Sequence, residues 1–141
     1  MDPQALENSI IDRFKRYEEI QEKEVKYEEY MTDDADIVIV AYGITSRICK
    51  SAVTAARAAG IKVGLLRPIT LWPYPAKALA KLADTAKHFL VVELNMGQMV
   101  DDVKLAVECR RPVSFFGRTG GMLPTPDDVV EEIKKIAGGI A

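Results

Sequence analysis

The sequence predicts a three-layer α/β/α domain on a mostly parallel five-stranded sheet with one antiparallel edge strand, a transketolase C-terminal-domain-like architecture. Three observations carry this. Ile37-Val38-Ile39-Val40-Ala41-Tyr42, Val63-Gly64-Leu65-Leu66, Phe89-Leu90-Val91-Val92 and Val113-Ser114-Phe115-Phe116 are nearly unbroken apolar runs, the pattern of strands buried on both faces. Helical segments near residues 45–59, 75–86, 97–108 and 126–137 alternate with them, which implies parallel strands joined by right-handed crossovers. Glu24-Val25-Lys26-Tyr27-Glu28-Glu29-Tyr30 instead alternates polar and bulky residues, and its charges suit an exposed edge that must not pair with another chain.

Taken in order, the chain begins with an amphipathic helix. Leu6, Ile10, Phe14 and Tyr17 recur at helical spacing from Pro3 to Lys23, with Ile11 and Ile20 beside them. Residues 1–23 are therefore read as an N-terminal helix and 24–141 as the α/β domain. Residues 1–30 carry nine acids and five bases, net −4, so the twelve acids and fourteen bases of residues 31–141 leave the rest of the chain at +2. The charged remainder of the helix reads as a solvated face, and the apolar stripe as a surface that must dock on something, a partner included. Thr32-Asp33-Asp34 supplies a turn into the first buried strand. Gly60 is a stop for the Ala-rich helix, and Pro75 suits the first turn of the next. Thr125-Pro126-Asp127-Asp128 opens the last helix with a cap, a proline and two acids matched to the helix dipole. Gly138-Gly139 marks its expected end.

Composition limits the function. A chain of 141 residues, 48% hydrophobic and 28% charged, fits one globular core that needs no disulfide or metal to fold. Cys49 and Cys109 lie far apart, in no metal-ligand spacing, and both read as buried thiols in helical segments. A net charge of −2 leaves no nucleic-acid footprint. No apolar run approaches the ~20 residues of a membrane span, and no leader is apparent, so a cytoplasmic protein is expected.

Function in an open parallel sheet gathers beyond the carboxyl ends of the strands. In the first loop there, Gly43 permits a tight turn and Thr45 or Ser46 can cap the following helix, a place for an anion or simply a turn. The second, Arg67-Pro68-Ile69-Thr70-Leu71-Trp72-Pro73-Tyr74-Pro75, is stiffened by three prolines and projects Arg67, Trp72 and Tyr74; Trp72 is either an interface anchor or a cover for the core. In the third, Asn95 and Gln98 have capping-box spacing around Gly97, while Met96 and Met99 form either a contact surface or core. Glu93, ending a buried strand, needs a partner, for which Arg67 is a candidate. The fourth, Gly117-Arg118-Thr119-Gly120-Gly121, lacks the Lys-Ser or Lys-Thr ending of a nucleotide-binding loop. It reads as a close backbone approach with Arg118 engaging a carboxylate or phosphate, or as a structural turn. His88, the only histidine, sits apart from these loops, and no nucleophile has a base beside it.

Glu24 to Met31 (EVKYEEYM), Leu66 to Pro75 (LRPITLWPYP), Glu93 to Met99 (ELNMGQM) and Gly117 to Gly121 (GRTGG) together resemble the alpha subunits of 2-oxoacid:ferredoxin oxidoreductases, nearest the 2-ketoisovalerate branch, over about Glu24 to Ile136. The resemblance implies an enzyme that converts a 2-oxoacid and coenzyme A to acyl-CoA and carbon dioxide while reducing ferredoxin, with thiamine diphosphate, Mg and iron–sulfur clusters in the assembled enzyme. Neither the Gly-Asp-Gly cofactor signature nor cluster cysteines occur in this chain. It is therefore expected to bind no cofactor, to be inactive alone, to pack against other domains and subunits of the oxidoreductase, and to be an excised domain or the end of a longer subunit. A stand-alone binding module for an anionic metabolite or a protein partner is the alternative.

Overall fold

The computed structural model describes residues 2–140. In chain order the elements are α1 (Pro3–Lys23), β1 (Tyr27–Tyr30), β2 (Ile37–Val40), α2 (Gly43–Ala58), β3 (Val63–Pro68), α3 (Ala76–Leu82), β4 (His88–Glu93), α4 (Met99–Ala106), β5 (Val113–Gly117) and α5 (Pro126–Ile140). The sheet order is β1-β3-β2-β4-β5, with β1 antiparallel to β3 and every other pair parallel. Both the mostly parallel sheet and its antiparallel edge follow the sequence pattern.

Side chains alternate across the sheet into two cores. Val38, Val40, Leu66, Phe89 and Val91 pack with α3 and α4 on one face. Ile37, Ile39, Leu65, Leu90 and Val92 pack with α2 and α5 on the other. Alternation along a strand that is covered on both sides makes the whole run apolar, which is why β2 reads Ile-Val-Ile-Val.

Several expectations change. The strand at Val113–Gly117 is the second edge of the sheet, where Phe115 stays exposed, so its apolar composition does not make it buried on both faces. Helix α5 continues through Gly138 and Gly139 to Ile140, because Ile136, Ala137 and Ile140 pack against the core and outweigh the weak helix propensity of glycine. Helix α4 stops at Ala106, earlier than expected, where Glu108 and Cys109 turn the backbone to positive φ of 54° and 52°. Cys109 therefore lies beyond the helix and is exposed, whereas Cys49 is buried as expected.

One close approach fixes the connection from β1 to β2. A Cβ on Gly64 would stand 2.5 Å from the Met31 carbonyl oxygen, so only glycine lets that connection lie against β3. Arg57 secures the same region from α2, donating to the carbonyl oxygens of Val63 and Met31 and to the carboxylate of Asp34. This role is not legible in the sequence, since Met31 and Asp34 lie more than twenty residues from Arg57 and two of the three acceptors are backbone carbonyls.

Candidate functional site

The parallel strands β2, β3, β4 and β5 point their carboxyl ends to one rim, and the chain reverses its winding between β2 and β4. The rim is built differently at each loop.

After β2, Gly43 has φ of 59° and begins α2 directly. Thr45 and Ser46 do not cap this helix: the Thr45 hydroxyl donates to the Tyr42 carbonyl and the Ser46 hydroxyl to that of Gly43, 2.7 Å away. Both hydroxyls turn inward and are buried, which removes them as ligands for an anion.

After β3, the Arg67 guanidinium pairs with Glu28 on β1 at 3.3 Å, not with Glu93. Together with Lys50, 2.9 Å away, it keeps the Glu28 carboxyl below its ordinary range, the Lys50 hydrogen bond being the larger cause. The loop continues through a cis Trp72-Pro73 bond. Trp72 is 56% exposed and meets Tyr17 of α1 edge to face, with ring centres 5.7 Å apart. Tyr74 does not project: it packs on the α3/α4 core, its hydroxyl has no hydrogen-bond partner, and burial, with the Asp102 and Glu93 charges, raises its pKa.

After β4, the Glu93 carboxylate is 1% exposed and folds back over the start of α4. Its Oε1 accepts from the Met99 amide at 2.9 Å and from Asn95 Nδ2 at 3.1 Å. Oε2 accepts from the Gln98 amide at 3.1 Å and the Val100 amide at 3.2 Å. Glu93 thus does what a capping residue does, from the preceding strand. Three amides left free by the helix are satisfied, and the positive end of the helix dipole stabilises the charge. The spacing of Asn95 and Gln98 had suggested a capping box, but α4 begins after Gln98, whose side chain makes no cap. Asn95 Oδ1 instead accepts from the Gly97 amide at 2.7 Å, closing the turn that carries Met96. Met96 is 84% exposed and Met99 is buried, so the two methionines divide between surface and core.

After β5, Gly117 lies against the β4 loop so closely that a Cβ there would be 2.5 Å from the Asn95 carbonyl oxygen. Gly120 and Gly121 have φ of 65° and 84°, with open space around them. Thr119 accepts from the Met122 amide through its carbonyl, tightening this turn. Arg118 reaches Asp128 at 3.6 Å, and its Nε is enclosed without a partner. Thr125 and Asp128 form a reciprocal cap on α5, hydroxyl to amide at 3.1 Å and carboxylate to amide at 2.8 Å.

The structure thus brings Glu93, Asn95, Gly97, Gln98 and Gly117 into one packed cluster and leaves Arg67, Trp72 and Arg118 apart on the rim. What the sequence did not single out is the further apolar exposure of the same loops: Ile69 and Leu71 after β3, and Met122 and Leu123 after β5, are exposed, as are Trp72 and Met96. Their positions in loops, outside any periodic pattern, hid them.

These residues do not fit a thiamine diphosphate and magnesium group. A carboxylate has about four acceptor positions, and those of Glu93 are filled by protein donors. Among the described residues no three His, Cys, Asp or Glu side chains converge as a metal site. Nor do the thiols suit a cluster, since Cys49 is buried in the α2/α5 core and Cys109 is exposed past α4. No helix among these residues is long and apolar enough to cross a membrane.

Comparison with known proteins gives the kinship. The chain is 52% identical over 123 residues to ketoisovalerate oxidoreductase subunit VorB of Methanothermobacter thermautotrophicus, covering 87% of this chain and 35% of the relative. It is 34% identical over 113 residues to 2-oxoglutarate synthase subunit KorA of Methanothermobacter marburgensis, covering 80% of this chain and 30% of that one. The chain thus spans about a third of the length of these curated relatives. Among solved structures, 2-oxoglutarate:ferredoxin oxidoreductase from Magnetococcus marinus, with 2-oxoglutarate, coenzyme A and succinyl-CoA bound, superimposes with a TM-score of 0.78 at 23% identity, over 95% of this chain and 23% of that one. A split-gene transketolase, an inactive beta4 tetramer, matches with a TM-score of 0.67 at 21% identity, over 78% of this chain and 40% of its own. These two likenesses show the shared transketolase-like fold. Residues 35–129, more than half of the chain, match the model of pyruvate:ferredoxin oxidoreductase core domain II, and the chain belongs to that family.

Proposed function

We propose that this chain serves as the non-catalytic C-terminal domain of the alpha subunit of a thiamine-diphosphate-dependent 2-oxoacid:ferredoxin oxidoreductase. The enzyme would convert a 2-oxoacid, coenzyme A and oxidised ferredoxin to acyl-CoA, carbon dioxide and reduced ferredoxin. A branched substrate of the 2-ketoisovalerate type is favoured by the higher identity to the VorB subunit than to the KorA subunit. The domain's part is to hold neighbouring domains and subunits together and to shape access to a site built on them.

The observation that carries this reading is the rim itself. Ile69, Leu71, Trp72, Met96, Met122 and Leu123 expose apolar surface at the strand ends, where an α/β domain normally meets its ligand or its neighbour. The loop bearing Met96 is held from within by the Glu93 and Asn95 hydrogen bonds. The loop bearing Ile69, Leu71 and Trp72 is held by the Thr70 hydroxyl donating to the Pro73 carbonyl, and the loop bearing Met122 by its amide donating to the Thr119 carbonyl. Exposed tryptophan, methionine and branched aliphatic side chains in loops that also carry Arg67 and Arg118 suit a protein interface.

The test is to co-express this chain with the remaining parts of the oxidoreductase and follow viologen reduction that depends on both a branched 2-oxoacid and coenzyme A. Met96→Asp and Trp72→Asp are expected to reduce recovery of the assembled enzyme and its turnover together. Turnover by the isolated chain, or an assembly indifferent to both substitutions, overturns the reading.

A further inference from the structure

We propose that α1 is a docking helix whose apolar stripe seats in an apolar groove edged by carboxylates on one wall and by basic side chains on the other. The groove belongs to a protein segment of the assembled oxidoreductase outside residues 1–141. This rests on the function proposed above and adds a second contact surface, which adjoins the rim at Trp72.

A helix of 21 residues that buries none of its side chains gains little tertiary stability along its length. Leu6, Ile10 and Phe14 form an exposed stripe, and Tyr17 carries it toward the domain. Phe14 meets Tyr17 edge to face at 5.7 Å, and Tyr17 meets Trp72 in the same way, so the aromatic line runs into the rim. Beside it is a notch of about 580 Å³ bounded by Phe14, Tyr17, Glu18, Gln21 and Trp72, wide enough for a side chain from another surface. On the domain side α1 is held only near its end, by the Tyr17–Trp72 contact and the pairing of Glu22 with Lys77.

Charge identifies the groove. At 3.6 residues per turn, Arg13 and Arg16 lie on one flank of the stripe and Glu7 and Glu18 on the other. Neighbouring charges on this helix are already paired, Lys15 with Asp12 and Lys23 with Glu19. Among the described residues, Glu7, Arg13, Arg16 and Glu18 have no oppositely charged side chain within salt-bridge distance. Two basic side chains along one edge and two acidic ones along the other select a groove of reversed polarity.

The same arrangement counts against a second copy of this chain. An antiparallel twofold pair of α1 helices brings like flanks together, arginine against arginine and glutamate against glutamate. A parallel pair with Ile10, Phe14 and Tyr17 on the seam pairs Arg13 with Glu18 of the other copy but sets Glu7 against its own counterpart on the seam and leaves Arg16 without an acid. The length of the relatives supplies the alternative, because about two thirds of the VorB subunit lies outside the matched region and is available as a covering surface.

The experiment is photo-crosslinking in the assembled oxidoreductase, with p-benzoylphenylalanine replacing Phe14 on the stripe or Lys15 on the opposite face. The expected result is a crosslink from position 14, and none from position 15, to an oxidoreductase peptide outside residues 1–141 that contains both apolar and acidic residues. Arg13→Glu with Arg16→Glu should lower the crosslink yield at least fivefold, while the Tm of the isolated chain stays the same. A crosslink only to residues 1–141, of the same or a second copy, overturns the proposal, as does a protein crosslink of equal yield from position 15. Viologen reduction by the same preparation separates the two readings: an active assembly without the position 14 crosslink removes the docking helix alone. An absence of any assembly removes both.

Discussion

The Glu93 carboxylate and the Met99 amide are 2.9 Å apart, so the last residue of β4 closes the first turn of α4. This contact joins a strand to the next helix across a loop whose tip, Met96, is almost fully exposed. A buried charge normally carries a desolvation cost of several kcal/mol, and here four protein donors offset it.

Glu93→Gln should therefore destabilise the chain although it is nearly isosteric. An amide nitrogen would replace one oxygen and point hydrogens at backbone donors that need an acceptor. Hydrogen bonds to a charged group contribute ~1.5–3 kcal/mol each, and a loss of about 3 kcal/mol in urea unfolding is expected. Unchanged stability would mean that the carboxylate does not cap α4, and would reopen a direct role in ligand binding.

Two glycines of the fourth loop should respond by different mechanisms. Gly117→Ala drives a methyl into the Asn95 carbonyl and the Phe115 ring, an overpacking that costs ~1–3 kcal/mol. Gly120→Ala meets no atom but must hold a left-handed backbone, at about 1 kcal/mol. Thermal unfolding should rank Gly117→Ala as the more damaging, and only this variant should also perturb the environment of Asn95 in NMR spectra.

The sequence was most informative where burial alone decides structure. Ile37 to Val40 reads as a central strand because both faces are covered, and that is where it lies. Val113 to Phe116 has much the same composition but forms an edge, since composition records the two faces of a strand and not whether its outer hydrogen-bonding side is occupied. The Thr125–Asp128 cap was legible because its residues are local. Glu93 was legible only as a carboxylate needing a partner; backbone amides six and seven residues away leave no trace in residue identity. The arginine expected to meet it, Arg67, faces β1 because antiparallel pairing sets Glu28 directly opposite.

His88 gives a pH dependence whose sign follows from its setting. Burial lowers its pKa, and its Nε2 lies 2.7 Å from Ser114 Oγ, linking β4 to β5. The unfolded chain, with a histidine pKa of about 6.5, takes up the proton first as the pH falls. The contribution is fully present above that value and is lost as the pH drops through it toward the folded pKa. Urea midpoints should thus be lower at pH 5.5 than at pH 7.5, and His88→Gln should flatten the difference. An equal fall in the variant would assign the loss to other groups.

Arg118 separates assembly from folding. Its ion pair with Asp128 is 3.6 Å long and both side chains are partly exposed, an arrangement that contributes ~0–1 kcal/mol. Asp128 has a second and stronger duty in the Thr125 cap: its hydrogen bonds there are the leading cause of its lowered pKa, with Arg118 a smaller one. Removing the guanidinium consequently leaves the α5 cap in place. The enclosed Nε is freed from a position where it has no acceptor, which offsets part of the lost pairing. Arg118→Ala should shift the Tm of the isolated chain by no more than about 2 °C, in keeping with a stability change below ~0.5 kcal/mol. In the assembled oxidoreductase it should weaken association or lower turnover, as truncation of an interface arginine does at ~2 kcal/mol or more. Arg118→Lys tests the shape of the contact, because it restores charge without the planar fork and should recover only part of the loss. Unfolding of the isolated Arg118→Ala chain, together with full activity in the assembly, would make this arginine a strut of the fold and remove it from the interface.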